Sequence, residues 1–270
     1  MPTHISLVLI AVAAMAGCSE AAAPQSTDPF AGMQWIDLTH AYGAETIFWP
    51  TGKPFEHIQT SWGETEGGYF YSAYDFAVSE HAGTHVDAPI HFSAGGATVD
   101  EVPLDDLIGS AVVIDVVAQS DANRDYLASV EDLSKYEAEH GPITVDDVVL
   151  IRTGWSSRWP NTLEYMGDDR PGRADELHFP GIAPELAQVL VQRGVKAVGI
   201  DTASIDYGAS KDFRTHQILM GAGVTGLENL TGLDALPARG AWVLAMPMKI
   251  GAGSGAPARI AALVRRQRRL

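Results

Sequence analysis

The sequence predicts an α/β fold, and three observations predict it. Ala111 to Val117, Val148 to Thr153 and Val195 to Ile200 are short runs rich in β-branched residues, the composition of strands buried on both faces of a sheet. Helical segments with their own start and stop signals lie between these runs. There are no internal repeats, and a hydrophobic share of 46% is ample for one packed core.

The elements follow in chain order. Phe48-Trp49-Pro50 is an aromatic cluster of the kind that packs into a core. Tyr74, Phe76 and Val78 alternate with Asp75, Ala77 and Ser79, the period-two pattern of a half-buried strand that would deliver His81 to a sheet edge. The run from Ala111 is the first buried strand. Ser129-Val-Glu-Asp132 then opens a helix to His140, closed by Gly141-Pro142. After the strand from Val148, Pro184 starts a second helix through Arg193, and Gly194 ends it. Asp201 and Asp206 flank the loop that follows the strand ending at Ile200, where α/β proteins tend to place ligand-facing residues. They either orient substrate and neighbouring histidines or cap the turn. A short helix runs from Asp212 as N-cap through His216 to Met220, with Gly221 as its stop. Glu228 stands in the apolar run Val224 to Leu230, where a buried carboxylate needs a partner, and a metal would supply one.

The chemistry concentrates in His81, His85, Asp87 and His91, four side chains within eleven residues around Gly83 and Pro89. Imidazole and carboxylate together suit zinc, manganese or iron, and three protein ligands leave positions open for water and substrate. His81, His85 and Asp87 can be those three. His91 adds a group that titrates near neutral pH and can move a proton. Two histidines one helical turn apart could instead mark a zincin helix. That reading needs a Glu after the first His, where Ala82 stands, and Gly83, Thr84, Val86 and Pro89 form helix poorly. The segment therefore reads as a strand end running into a loop.

The run from His81 through Gly83, Thr84, His85, Asp87 and Pro89 to His91 and Phe92 resembles the signature of the cyclase family of metal-dependent hydrolases, which includes bacterial kynurenine formamidase and isatin hydrolase. A distant block, His216 with Glu228-Asn229-Leu230, resembles that family's later His and Glu-Asn-Leu, and the likeness runs from about residue 34 to the C-terminus through Pro247-Met-Lys249 and Gly253-Ser-Gly-Ala-Pro-Ala-Arg259. The resemblance implies the swivelling β/β/α cyclase-family fold as a single domain over 34–270. It implies His81, His85 and Asp87 as metal ligands and His91 as catalytic acid/base. His216 and Glu228 would hold a second ion where two bind, the Asp bridging them, so the cofactor is one or two divalent ions, Zn2+ or Mn2+. Phe48 and Trp49 would line the substrate pocket, suiting a planar aromatic substrate. A homodimer or higher homo-oligomer is implied as well.

The reading that follows is a hydrolase of a cyclic amide or aryl amide, an isatin-like lactam or an N-formylkynurenine-like arylformamide, with water activated by metal and His91 shuttling the proton. No Gly-x-Ser-x-Gly elbow is present, which disfavours a serine nucleophile. The alternative is a surface lipoprotein that binds metal or a small ligand without turnover. Retention of His91 beside three ligands speaks for catalysis, since a binding site needs no general base.

Residues 1–17 resemble a lipoprotein signal peptide, with the apolar run Ile5 to Ala16 followed by Gly17 and Cys18, the only cysteine. Cys18 would be lipidated and 18–33, rich in Ala, Ser, Thr and Pro, would be a flexible tether, which makes the protein exported, periplasmic or anchored at the outer membrane. Ordinary secretion is the other reading, since the segment before the apolar run carries His4 rather than Lys or Arg. A formal charge of −16 excludes a nucleic-acid partner, because phosphate contact needs a basic face. The basic run Arg265 to Arg269 is read as a solvated end, and membrane contact as confined to the N-terminal lipid.

Overall fold

In the computed structural model, whose described residues are 29–145 and 147–266, the three apolar runs are adjacent parallel strands. The elements are β1 (Met33–Asp37), β2 (Glu56–Glu64), β3 (Phe70–Ala77), β4 (His85–Asp87), α1 (Leu104–Leu107), β5 (Ile108–Asp115), α2 (Val117–Ala122), β6 (Leu127–Ala128), α3 (Val130–His140), β7 (Asp147–Arg152), α4 (Thr162–Met166), β8 (Gly181–Ile182), α5 (Pro184–Arg193), β9 (Ala197–Ile200), α6 (Arg214–Gly221), β10 (Thr225–Glu228), β11 (Arg239–Pro247) and β12 (Gly255–Arg265). The described residues from Gly32 onward belong to one compact unit. Cys18, the signal segment and most of the tether lie outside the described residues, as does the end of the arginine run.

The main sheet runs β1-β12-β11-β5-β7-β9-β10-β4, and β4 pairs again with β12. Those pairings close all strands but β1 into a barrel-like ring. The β5, β7, β9 and β10 side is parallel, and β11, β12 and β4 pair antiparallel with their neighbours.

Closure explains why β5 and β7 read as continuous apolar runs. Val112, Ile114, Val149 and Ile151 face α3 and α5, whose Leu133, Leu186 and Leu190 cover them. Ala111, Val113, Val148 and Leu150 point the other way and fill the ring with Val243, Ile260 and Ala262. Each strand therefore supplies two cores, and polar alternation is lost.

α3 begins on Ser129 with a capping box to Asp132, and α5 begins with Pro184 and ends on left-handed Gly194, as the sequence predicts. β5 differs from expectation: it starts at Ile108 and stops at Asp115, whose carboxylate accepts the Val117 N–H and turns the chain into α2.

Two other expectations fail. The strand expected over 74–79 is β3, but it ends at Ala77, pairs only with β2, and does not carry His81 to an edge of the main sheet. Its alternation sorts one aromatic face rather than a buried one: Phe76, Tyr74 and Phe70 contact Phe55, His57 and Trp62 along the hairpin, and Trp62 is 62% exposed. Asp212 does not cap α6, because Phe213 adopts a left-handed conformation (φ 50°) between it and the helix. Asp206 takes that role from the preceding loop. Gly221 is the last helical residue, and Ala222 follows it as C-cap.

Candidate metal centre

The site forms where the ring of strands closes. β4 is held between β10 and β12, with His85 opposite Glu228 and Pro257, and Asp87 opposite Gly226 and Gly255. Residues two apart on a strand share a face, so His85 and Asp87 project together beside Glu228. The turn before β4 explains the glycine and threonine of the sequence pattern. Gly83 has φ +59°, and a Cβ there would meet the Tyr42 ring at 2.8 Å. Thr84 Oγ1 donates to the Asn229 carbonyl at 2.6 Å, and Asn229 Nδ2 donates to the Gly83 carbonyl at 2.8 Å. Tyr42 adds a hydroxyl bond to the Ala82 carbonyl at 2.8 Å. These bonds lock the first histidine block to the distant Glu-Asn block.

Within this frame each oxygen of Asp87 faces a different set. Oδ1 lies 2.6 Å from His81 Nδ1 and 3.2 Å from His85 Nε2, while Oδ2 lies 3.3 Å from His216 Nε2. Glu228 faces His85 Nε2 at 3.4 Å and His216 Nε2 at 3.2 Å. The ligand atoms of His81, Asp87 and His91 lie within 4.8 Å of one another, as do those of His85, Asp87 and Glu228. Asp87 is common to both groups. All the residues expected to bind metal thus converge, with His85 as near to Glu228 as to Asp87.

The ring orientations are fixed from behind. His85 Nδ1 donates to the Gly83 carbonyl at 2.9 Å, leaving a buried Nε2 that has no hydrogen-bond partner and faces two carboxylates. His216 Nδ1 donates to Asp206 Oδ2 at 2.7 Å, which aims its Nε2 at Asp87 and Glu228. Ring nitrogens so directed at clustered, buried carboxylates are the donor set of a divalent transition ion, and the residues fit one.

Electrostatics agree. Burial opposes the His85 imidazolium, but Asp87 and Glu228 outweigh it and raise the pKa to about 9. His216 rises well above the usual histidine range against the same burial, through Asp206, Asp87 and Glu228. Burial works against the Asp87 carboxylate, yet His85, His81 and His216 hold it well below the ordinary range. Burial and the nearby Asp87 push Glu228 up. Without a metal, protons on His85 and His216 balance the carboxylates. His91 is the exception: burial, aided by the neighbouring histidines against the pull of Asp87, lowers it to about 4.

A cavity of about 310 Å3 opens onto this cluster, with Trp49, Phe92 and Phe213 as aromatic walls around His81, His91, His216 and Glu228. Trp49 meets Phe213 edge-on at 6.0 Å. Phe48 is not part of this wall. It lines a separate cavity with Asn161, Leu163 and Met166, because its backbone bridges to Ala82 and successive side chains point apart. Asp206 serves both readings open to it, capping α6 through the Thr215 and His216 N–H groups while orienting the His216 ring. Asp201 does not cap its own turn: its fully buried carboxylate accepts from the Thr153 N–H and hydroxyl and from the Gly154 N–H in the loop after β7. Phe213, a wall of the cavity, escaped the sequence reading. No periodicity marks it, since its place depends on the fold.

Three comparisons bear on this site. The Cyclase family model matches residues 36–207. Isatin hydrolase of Roseibium aggregatum is 33% identical over 206 residues, covering 73% of this chain and 76% of that protein. Kynurenine formamidase of Bacillus cereus is 28% identical over 230 residues, 84% of this chain and 95% of its own. Among solved structures, isatin hydrolase A from Labrenzia aggregata bound to benzyl benzoate superimposes with a TM-score of 0.79 at 34% identity, over 87% of this chain and 95% of that one. A structure described as a potential metal-dependent hydrolase with cyclase activity gives 0.64 at 25% identity, over 87% of this chain and all of the other. The fold, the converging donors and these matches together carry the conclusion that the chain belongs to the cyclase family of metal-dependent hydrolases.

Proposed function

We propose that this protein is a metal-dependent amidohydrolase that cleaves the C–N bond of a cyclic amide or an aryl amide, with an isatin-like lactam or an N-formylkynurenine-like arylformamide as substrate class. The observation that carries the reading is His91, a half-buried imidazole beside a cluster of metal-capable side chains at the floor of an aromatic cavity. Its relatives named isatin hydrolase and kynurenine formamidase support the same bond type.

His81, His85 and Asp87 would hold one divalent ion, Zn2+ or Mn2+, and His216 and Glu228 a second, with Asp87 between them. When bound there, such an ion supplies Lewis acidity toward the scissile carbonyl and lowers the pKa of an adjacent water. His91 takes the proton from the attacking water as its oxygen bonds to the carbonyl carbon, then passes that proton to the nitrogen as the C–N bond breaks. Trp49, Phe92 and Phe213 orient a planar substrate and exclude bulk water. Asp206 holds His216 in the ring orientation the site requires.

The test is metal analysis of the purified protein, with isatin and N-formylkynurenine assayed before and after chelation. Hydrolysis lost with the metal and restored by Zn2+ or Mn2+ is the expected result. Bound metal with no turnover of any amide, lactone or lactam in a broad panel would return the metal-binding lipoprotein to favour, a reading that gains no support from the enzymes it resembles.

Two further proposals complete the picture. The hairpin of β2 and β3 is a two-stranded sheet with an exposed aromatic face, and such ribbons are marginal alone in water, which supports a homodimer that covers it. Light scattering at micromolar concentration tests this. Export with lipidation at Cys18 rests on the N-terminal sequence; no helix among the described residues is long and apolar enough to cross a membrane. Mass measurement of the N-terminal peptide from a bacterial membrane fraction tests it.

A further inference from the structure

Both ring nitrogens of His81 are engaged. Nδ1 lies 2.6 Å from Asp87 Oδ1, and Nε2 lies 2.9 Å from the Ser254 hydroxyl. That hydroxyl has a single proton, and Glu80 claims it. Ser254 Oγ donates to Glu80 Oε2 at 2.7 Å, and the same oxygen accepts the Ser254 N–H at 2.9 Å. An ionised carboxylate accepts only, so the Ser254 oxygen meets His81 as an acceptor and the ring hydrogen resides on Nε2. Nδ1 faces Asp87 Oδ1 at 2.6 Å, a separation that needs a proton or a metal ion between the two atoms, and with an ion there Nδ1 supplies the lone pair.

The chain on either side of Ser254 is shaped to this arrangement. A Cβ on Gly255 would lie 2.5 Å from His81 Cε1 and 2.6 Å from the Val86 carbonyl oxygen. A Cβ on Gly253 would come within 3.1 Å of Glu80 Oε1. The run Gly253-Ser254-Gly255 therefore forms a socket in which only the central residue carries a side chain, and that side chain reaches both Glu80 and His81.

We propose that Ser254 and Glu80 are positioning residues that select the Nε2–H form of His81 and so present its Nδ1 lone pair to the metal. The proposal rests on the metal-dependent reading above. It makes a chain of carboxylate, hydroxyl and imidazole in which Glu80 precedes β4 and Ser254 immediately precedes β12. Removal of an outer partner of a ligating histidine typically weakens metal binding by about 10–100-fold.

The experiment uses the full chain stripped of metal, titrated with Zn2+ and with Mn2+ against a competing chelator. Ser254→Ala and Glu80→Ala are each expected to weaken binding by about 10–100-fold. The double variant should lose no more than the worse single one, because the two act in series. In 15N NMR spectra of the Zn2+-loaded protein, His81 should show protonated Nε2 in the wild type, and this signature should be lost in Ser254→Ala. The melting temperature of the metal-free variants should match the wild type. Unchanged affinity in Ser254→Ala, or full additivity accompanied by lower melting temperatures in both, overturns the proposal in favour of a structural role. If Ser254→Ala does not fold, Glu80→Ala, at a partly exposed position, reads the same quantities. A wild-type chain that binds neither ion overturns the metal-dependent reading itself, whereas wild-type binding with indifferent variants overturns only the role of Ser254 and Glu80.

Discussion

The imidazole rings of His81 and His91 lie face to face, their centroids 3.8 Å apart and their planes 18° from parallel. Burial keeps the His91 ring neutral, lowering its pKa to about 4. His91→Asn should therefore retain its metal, by elemental analysis, while kcat falls by about 10²–10⁴-fold. Metal lost in parallel with activity would make His91 a ligand instead of a proton carrier.

The metal-free protein should be weakened by alkali. The folded pKa of His85, about 9, lies above the ordinary histidine value of 6.5 because Asp87 and Glu228 overcome the opposing effect of burial. Its stabilising contribution is thus complete below pH 6.5 and disappears as pH rises through about 9, and His216 shifts in the same direction. A divalent ion replaces those protons as the countercharge. Melting curves from pH 6 to 10 should show a loss of stability in chelator that Zn2+ abolishes; identical curves in both conditions would contradict this balance of charge.

Acid acts with the opposite sign and at a different place. His40 is stacked on Trp159 at 4.1 Å, its Nε2 buried without a partner, and burial lowers its pKa from 6.5 to about 4. The unfolded chain therefore takes up this proton first, and stability falls as pH drops from 6.5 toward 4. Urea denaturation of His40→Gln should give a flatter dependence over that interval than the wild type. An unchanged slope would assign the acid limb to His91, which is lowered to a similar value.

Asp206 unites a helix cap with a histidine orienter. Asp206→Ala removes acceptors for two backbone N–H groups of α6 and frees His216 Nδ1. The expected cost is at least about 1 kcal/mol in urea denaturation, from the cap alone. Metal stoichiometry should fall as well. A stable variant with full metal content would show that the backbone of α6 positions His216 unaided.

Gly255→Ala tests the close packing of His81 on β12. The added methyl would overlap both the imidazole and the Val86 carbonyl, where the backbone pairs with Asp87. A loss of about 1–3 kcal/mol with weakened metal binding is expected from overpacking. Wild-type stability in this variant would mean that β12 and β4 can separate without cost.

The buried strands, two of the helices and the ligand cluster were legible because local chemistry dictates them. Ser129 with Asp132, Pro184 with Gly194, and the doubly apolar β5 and β7 each follow from interactions within a few residues or from burial on both faces. His81, His85, Asp87 and His91 were legible from their spacing. The aromatic hairpin was misjudged because alternation records which residues share a face, and says nothing about whether that face is covered. Asp212 was misjudged because Asp206, six positions earlier, reached the same N–H groups across a loop. Phe48 and Trp49 could not be separated by composition, since only the bridge to Ala82 decides which of them enters the cavity.

The double pairing of β4 has a consequence for the order of assembly. Residues 85–87 are set between strands that begin at positions 225 and 255, so the donors meet only after loops of well over a hundred residues have closed. Contacts of such sequence separation form late and slowly. A chain emerging from synthesis or export would carry its histidines and carboxylates dispersed until the last strand docks, and tight capture of a divalent ion would then report that the barrel is complete.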